Sequence, residues 1–164
     1  MRAVAFVAAS GTGKTTLLER LIPELRRRGL RVGALKHDAH RFQIDQPGKD
    51  SHRFTSAGAE VMVIADRETV ALVRRLSWPM PVEEILDRYF ADMDLVLVEG
   101  YGGGTLPRIE LRRGGLGLKE KDRGAAPGTL LAVAADTPLD LDVPVLDLDD
   151  PPAVADFLVA ALLG

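Results

Sequence analysis

Residues 8–16 read AASGTGKTT. The stretch matches the phosphate-binding loop G-x-x-x-x-G-K-[ST] in all but its first position, where Ala8 replaces glycine. Such a loop works through backbone N–H groups aimed at an anion, with the positive end of the following helix behind them. Gly11 and Gly13 let the chain turn tightly and approach phosphate. Lys14 supplies a point charge for the β and γ phosphates, and Thr15 a hydroxyl for Mg²⁺. Ser10, Thr12 and Thr16 complete the run expected to touch nucleotide. Alanine at the loop entry adds one methyl, which the backbone tolerates if φ stays negative. The alternative, a chance glycine-rich turn, is opposed by what flanks it.

Before the loop lies RAVAFVAA (2–9), a short apolar run expected to be a buried strand. After it, KTTLLERLIPELRRRG (14–29) has a helical period that puts Leu17, Leu18, Leu21, Ile22 and Leu25 on one face. Pro23 is expected to kink or weaken that helix, and Gly29 to end it. RVGALK (31–36), DLVLVEG (94–100), PRIELRR (107–113), TLLAVAAD (129–136) and VPVLDLDD (143–150) read as further strands. EVMVIAD (60–66) and TVALVRR (69–75) read as two strands about a tight turn. Helices are expected over 50–59, capped by Asp50, over 81–92, and over 151–163. Strands alternating with helices predict an α/β fold. The expected form is a P-loop NTPase-like three-layer structure: a mainly parallel sheet with helices on both faces. Residues 1–164 are expected to form a single P-loop nucleotide-binding domain.

Composition agrees with such a domain. Hydrophobic residues at 46% and charged residues at 27% suit a soluble globular chain. A net charge of −3 argues against nucleic acid as a partner. No apolar run has transmembrane length, and the first strand is too short for a signal peptide, so a cytoplasmic location without membrane contact is expected. With no Cys there is no disulfide, thiolate metal site or cysteine nucleophile. Asn is absent too, which fits either a thermophile or a GC-rich genome.

In a parallel α/β sheet, ligands gather outside the carboxyl ends of the strands. On that rim the strands deliver Lys36, His37, Glu99, Asp136, Asp147 and Asp149. Asp94 and Glu99 share a strand, but at roughly 3.3 Å per residue they lie about 16 Å apart. Glu99 is the one near the phosphates. It follows four apolar residues and is the expected Mg²⁺ partner, the alternative being a solvated strand-end carboxylate. Asp45 is a rival or additional Mg²⁺ or water-positioning residue.

Read together, residues 8–51, AGAE (57–60), DLVLVEGY (94–101) and PRIEL (107–111) resemble the MobB family of GTP-binding adaptor proteins in molybdopterin-guanine dinucleotide biosynthesis. The match resumes over 132–150. KHDAH (36–40) and DQPGKDS (45–51) are its most specific parts. The resemblance implies a P-loop fold, a homodimer, GTP with Mg²⁺, and weak GTPase activity at most. It implies assistance to MobA, the guanylyltransferase that joins GMP to molybdopterin, so MobA and molybdopterin or the molybdenum cofactor are the implied partners. It assigns Gly11, Gly13, Lys14, Thr15 and Thr16 to phosphates and metal, and Glu99 to the Walker-B role. Lys36, His37, His40, Asp45, Lys49 and Asp50 fall to the family's substrate or partner loop. The nucleotide and Mg²⁺ are expected to order residues 37–51. Family members often have Phe-Lys after Gly100, whereas this chain has Tyr101-Gly102-Gly103-Gly104.

Other residues carry open readings. His37 and His40 offer metal binding, contact with phosphate or pterin, or plain loop hydrogen bonding; without a third ligand the metal reading is the weakest. The guanine-reading motif [NT]-K-x-D is absent, which leaves Asp136 either as a base-reading carboxylate or as a turn residue before Thr137-Pro138. Arg112, Arg113, Lys119, Lys121 and Arg123 suit a solvated loop better than an anion clamp. Trp78 suits a partner contact or core packing equally. No catalytic residue is assigned. The competing function is a small-molecule kinase or ATP-dependent ligase of the dethiobiotin synthetase kind, which LVEGYGGG (97–104) resembles.

Overall fold

The computed structural model describes residues 2–37, 44–102, 104–114 and 128–164. Its elements run β1 (Arg2–Val7), α1 (Lys14–Arg27), β2 (Val32–Lys36), α2 (Asp50–Ser56), β3 (Val61–Ala65), β4 (Val70–Arg74), α3 (Val82–Tyr89), β5 (Leu95–Glu99), β6 (Arg108–Arg112), β7 (Leu130–Ala135), β8 (Val145–Asp147) and α4 (Pro151–Leu163). They form two compact units, residues 1–37 with 86–164, and residues 38–85.

The first unit holds a six-stranded sheet in the order β2-β5-β1-β6-β7-β8, with every pairing parallel. Its strands are near-continuous apolar runs because both faces are covered. On one face Val4, Phe6, Leu95, Leu97, Ile109 and Leu111 pack with Leu17, Leu21 and Leu25 of α1 and Val154, Ala155 and Leu158 of α4. The alternate residues Ala5, Val7, Val96, Val98 and Val133 are buried as well. Gly33 stands opposite Val96 and so belongs to that second face. A Cβ on Gly33 would lie 2.4 Å from the Phe90 ring, so the chain following α3 covers that side. Helical segments on both faces of a parallel sheet make the expected three-layer α/β fold.

Helix α1 begins at Lys14 and runs without a break through Pro23, which costs one backbone hydrogen bond but does not end it. Its end is closed by Gly29 at φ 82°, with Gly29 N–H donating to Arg26 O and Leu30 N–H to Leu25 O. A surface network ties α1 to α4: Arg28 donates to Asp156 and to the Pro152 carbonyl, and also pairs with Glu24.

The second unit holds α2 and an antiparallel hairpin, β3-β4. Asp66 caps its turn by accepting from Glu68 N–H at 2.8 Å and Thr69 N–H at 2.7 Å, and these bonds hold its carboxyl below the usual range. Met62 on one hairpin face is buried. On the other face Val63 opposes Leu72 and Ala65 opposes Val70, all exposed. Asp50 is not the cap of α2. Lys49 takes that position with extended φ/ψ, and Asp50 sits in the first turn, paired with Arg53.

Candidate phosphate-binding site

The loop between β1 and α1 leaves the sheet between β5 and β6, at the carboxyl ends of the strands. Gly11 has φ 80° and Gly13 has φ 95°, both left-handed conformations that favour glycine. Among the described non-glycine residues only Tyr101 has a positive φ, so Ala8 adopts ordinary backbone and its methyl is accommodated. Gly13 is also the N-terminal flank of α1, with no side chain capping the helix. The first N–H groups of α1 thus find no partner in a cap, the arrangement an anion completes. Thr12 is buried and its hydroxyl donates to Ala9 O at 2.8 Å, which braces the turn from within.

Lys14 folds back over the loop, and its Nζ donates to Ala8 O at 3.0 Å and Ala9 O at 3.3 Å. Burial, opposed by Glu99 and reinforced by Lys36, lowers its pKa from the ordinary lysine value. Thr15 Oγ1 lies 3.3 and 3.4 Å from the two Glu99 carboxylate oxygens. Those are hard oxygen donors, and an octahedral Mg²⁺ at about 2.1 Å places neighbouring ligands about 3 Å apart. The pair therefore fits that ion. No cluster of three or more His, Asp or Glu side chains suited to a metal occurs among the described residues, so phosphate and water oxygens would fill the remaining positions.

Glu99 comes from β5, and β2 places Lys36 beside it in register. Lys36 Nζ is 3.4 Å from Glu99 Oε1. Ser10, Gly11, Gly13, Lys14, Thr15, Thr16, Lys36 and Glu99 line one cavity of ≈ 440 Å³. Lys36, expected on the carboxyl rim and assigned by the resemblance to the partner loop, lines this cavity. Asp94 sits at the opposite end of β5 and accepts from Arg31 N–H at 2.7 Å, as its spacing from Glu99 requires.

On the other side of the loop, Arg113 follows β6. It donates Nε to Thr12 O at 3.3 Å and an Nη to Asp149 at 2.7 Å. The guanidinium in turn holds the Asp149 carboxyl below its usual range. Arg112 is engaged as well, pairing with buried Glu110 at 2.9 Å. Both arginines are structural ties, which overturns their reading as a solvated loop; Lys119, Lys121 and Arg123 lie outside the described residues. Asp136 accepts from Gly114 N–H with both oxygens, at 2.9 and 3.2 Å. It also lines a second cavity of ≈ 370 Å³ with Thr137, Pro138, Leu139, Leu146 and Asp147.

His37 meets Tyr101 edge to face, with ring centroids 5.0 Å apart. Tyr101 has φ 64°, and its ring occupies the space where a Cβ on Gly104 would fall, so this turn requires glycine at 104. Asp45, Lys49 and Asp50 belong to the second unit. Asp45 accepts from Ser51 Oγ at 2.9 Å and Gln46 N–H at 2.8 Å, while its buried Oδ2 has no hydrogen-bond partner among the described residues. His40 lies outside the described residues. Trp78 is 76% exposed, which sets core packing aside.

Comparison with known proteins gives these residues a family. The family model described as MobB, molybdopterin guanine dinucleotide synthesis protein B, matches residues 3–136. This chain belongs to the MobB family. A molybdopterin-guanine dinucleotide biosynthesis adapter protein of Escherichia coli is 42% identical over 163 residues, spanning 95% of this chain and 90% of that protein. A protein of the same description from Haemophilus influenzae is 40% identical over 152 residues, spanning 91% of this chain and 83% of that protein. A crystal structure of molybdopterin-guanine biosynthesis protein B superposes with TM-score 0.78 and 31% identity, over 98% of this chain and 99% of the other. These MobB proteins give no support to the dethiobiotin synthetase alternative. No described helix is long and apolar enough to cross a membrane.

Proposed function

We propose that this chain is the GTP-binding accessory protein of molybdopterin-guanine dinucleotide synthesis, acting on the MobA guanylyltransferase in the cytoplasm. The observation that carries the reading is the cavity in which Lys14, Thr15 and Glu99 face the uncapped start of α1, in a MobB-family chain. Residues 1–164 act in this reading as a single nucleotide-binding domain. The loop N–H groups bind the phosphates, and Lys14 exchanges the Ala8 and Ala9 carbonyls for phosphate oxygens. Thr15 and Glu99 would hold Mg²⁺, which would supply charge to neutralise the phosphates; Asp45 is a further candidate to hold it, its Oδ2 having no hydrogen-bond partner among the described residues. The base enters the cavity beside Asp136. A carboxylate has lone pairs beyond those given to Gly114, enough to accept from guanine N1 and N2. His37, His40, Lys49 and Asp50 serve the partner or pterin. In this reading hydrolysis is weak at most.

Calorimetric titration of GTP and ATP, with and without Mg²⁺, tests this. Mg²⁺-dependent GTP binding at least about tenfold tighter than ATP binding is expected, since a site built for hydrogen bonds rejects a ligand lacking them. Preference for ATP would defeat the adaptor reading.

The same proposal includes a homodimer. Support comes from the hairpin face carrying Val63, Val70 and Leu72, exposed at 54%, 69% and 42%. A two-stranded hairpin with an open apolar face gains by covering it. Val63→Lys with Leu72→Lys is expected to convert a dimer to a monomer in light scattering. An unchanged mass would place the interface elsewhere.

A further inference from the structure

Lys36 stands out because its strand, not its sequence motif, brings it to the phosphates. β2 and β5 are parallel neighbours with Lys36 opposite Glu99, so both side chains emerge on the same side of the sheet rim. Both line the cavity of the loop. The Lys36 side chain is 64% exposed and reaches Glu99 at 3.4 Å, while Glu99 is 16% exposed. Among the described residues this long contact leaves the ammonium two further hydrogens to donate. His37 N–H donates to Glu99 O at 3.0 Å, which fixes the strand end from which Lys36 projects.

The strand order says which part of a nucleotide Lys36 meets. The loop follows β1; β7 and its Asp136 cavity lie on one side, β5 and β2 on the other. A nucleotide with its base beside Asp136 therefore points its terminal phosphate toward Glu99 and Lys36. Charge supports this placement. Lys14 and Lys36 line one cavity, and their like charges repel each other. Only one carboxylate, Glu99, lies between them among the residues lining the cavity. A polyanion removes that repulsion, and the more negative one removes more of it.

We infer that Lys36 is a second phosphate-binding cation. It rests on Glu99 in the nucleotide-free chain and turns to the terminal phosphate of a bound nucleoside triphosphate. The site then distinguishes triphosphate from diphosphate. This inference rests on the nucleotide reading above and names the discriminating residue within it.

The test is calorimetric titration of GTP and of GDP, each with Mg²⁺, into wild type, Lys36→Ala and Lys36→Arg. Lys36→Ala is expected to weaken GTP binding about tenfold to a hundredfold, the range for a hydrogen bond to a charged group, and GDP binding by less than about threefold. Lys36→Arg, which keeps the charge, is expected to keep most of the GTP preference. Thermal melts should be unchanged, since the side chain is largely exposed. Equal loss for GTP and GDP, or no loss, overturns the inference while leaving the nucleotide reading intact. Failure of the wild type to bind either nucleotide overturns both.

Discussion

Lys14→Ala is expected to weaken Mg²⁺-GTP binding by roughly a hundredfold, about 3 kcal/mol, with little change in melting temperature. The two halves of that result have separate causes. Lys14 Nζ donates to the Ala8 and Ala9 carbonyls, at the start of a loop open to solvent. Water replaces those contacts when the side chain is cut back. Nothing replaces the ammonium at its own position, because the loop's remaining donors are uncharged N–H and hydroxyl groups and Lys36 comes from β2 on the Glu99 side of the cavity. Calorimetry on the variant, beside a thermal melt, separates binding from folding. Binding that survives within threefold would mean that the loop is a structural turn. Glu99 and Thr15 would then need another explanation for their approach.

Phe6→Ala is expected to do the reverse. Phe6 is fully buried on β1, in the layer between the sheet and α1. Removing its ring costs the transfer energy of the lost atoms plus the cavity left behind, about 3–5 kcal/mol. For a chain of this size the melting temperature should fall on the order of 10 °C. The cavity would also reach the site, because Gly100 N–H donates to Phe6 O at 3.0 Å and Phe6 stands opposite Glu99. A modest loss of Mg²⁺-dependent GTP affinity should therefore accompany the large loss of stability. A melting temperature within 2 °C of wild type would contradict the packing described here.

What could be read from the sequence follows the range of the forces involved. The loop, α1 and the buried strands were legible because their signals are local: glycine spacing, a leucine stripe, unbroken apolar runs. The hairpin at 60–75 was legible for the same reason. Glu99 could be separated from Asp94 by strand geometry alone. Lys36 could be placed on the carboxyl rim but not beside Glu99, because the two are 63 residues apart and only the order β2-β5-β1 brings them together. Arg113 was misread for a similar reason: Asp149, its partner, is 36 residues further on. Its position just past a strand on the carboxyl rim was the available signal. Asp50 failed as a cap through competition at short range, where Lys49 takes the flanking position and leaves Asp50 inside the first turn.

The contact between α1 and α4 also bears on how the protein is made. Leu17, Leu21 and Leu25 leave the ribosome more than a hundred residues before Val154, Ala155 and Leu158. Over that interval the leucine stripe lacks α4 as a packing partner. A nascent chain halted before residue 151 would leave the part of that core covered by α4 open to chaperones and to other chains. The Arg28–Asp156 pair forms only once α4 has emerged, so it latches a core that β1 began. Closure of the first unit thus waits for α4, long after the phosphate loop has been made.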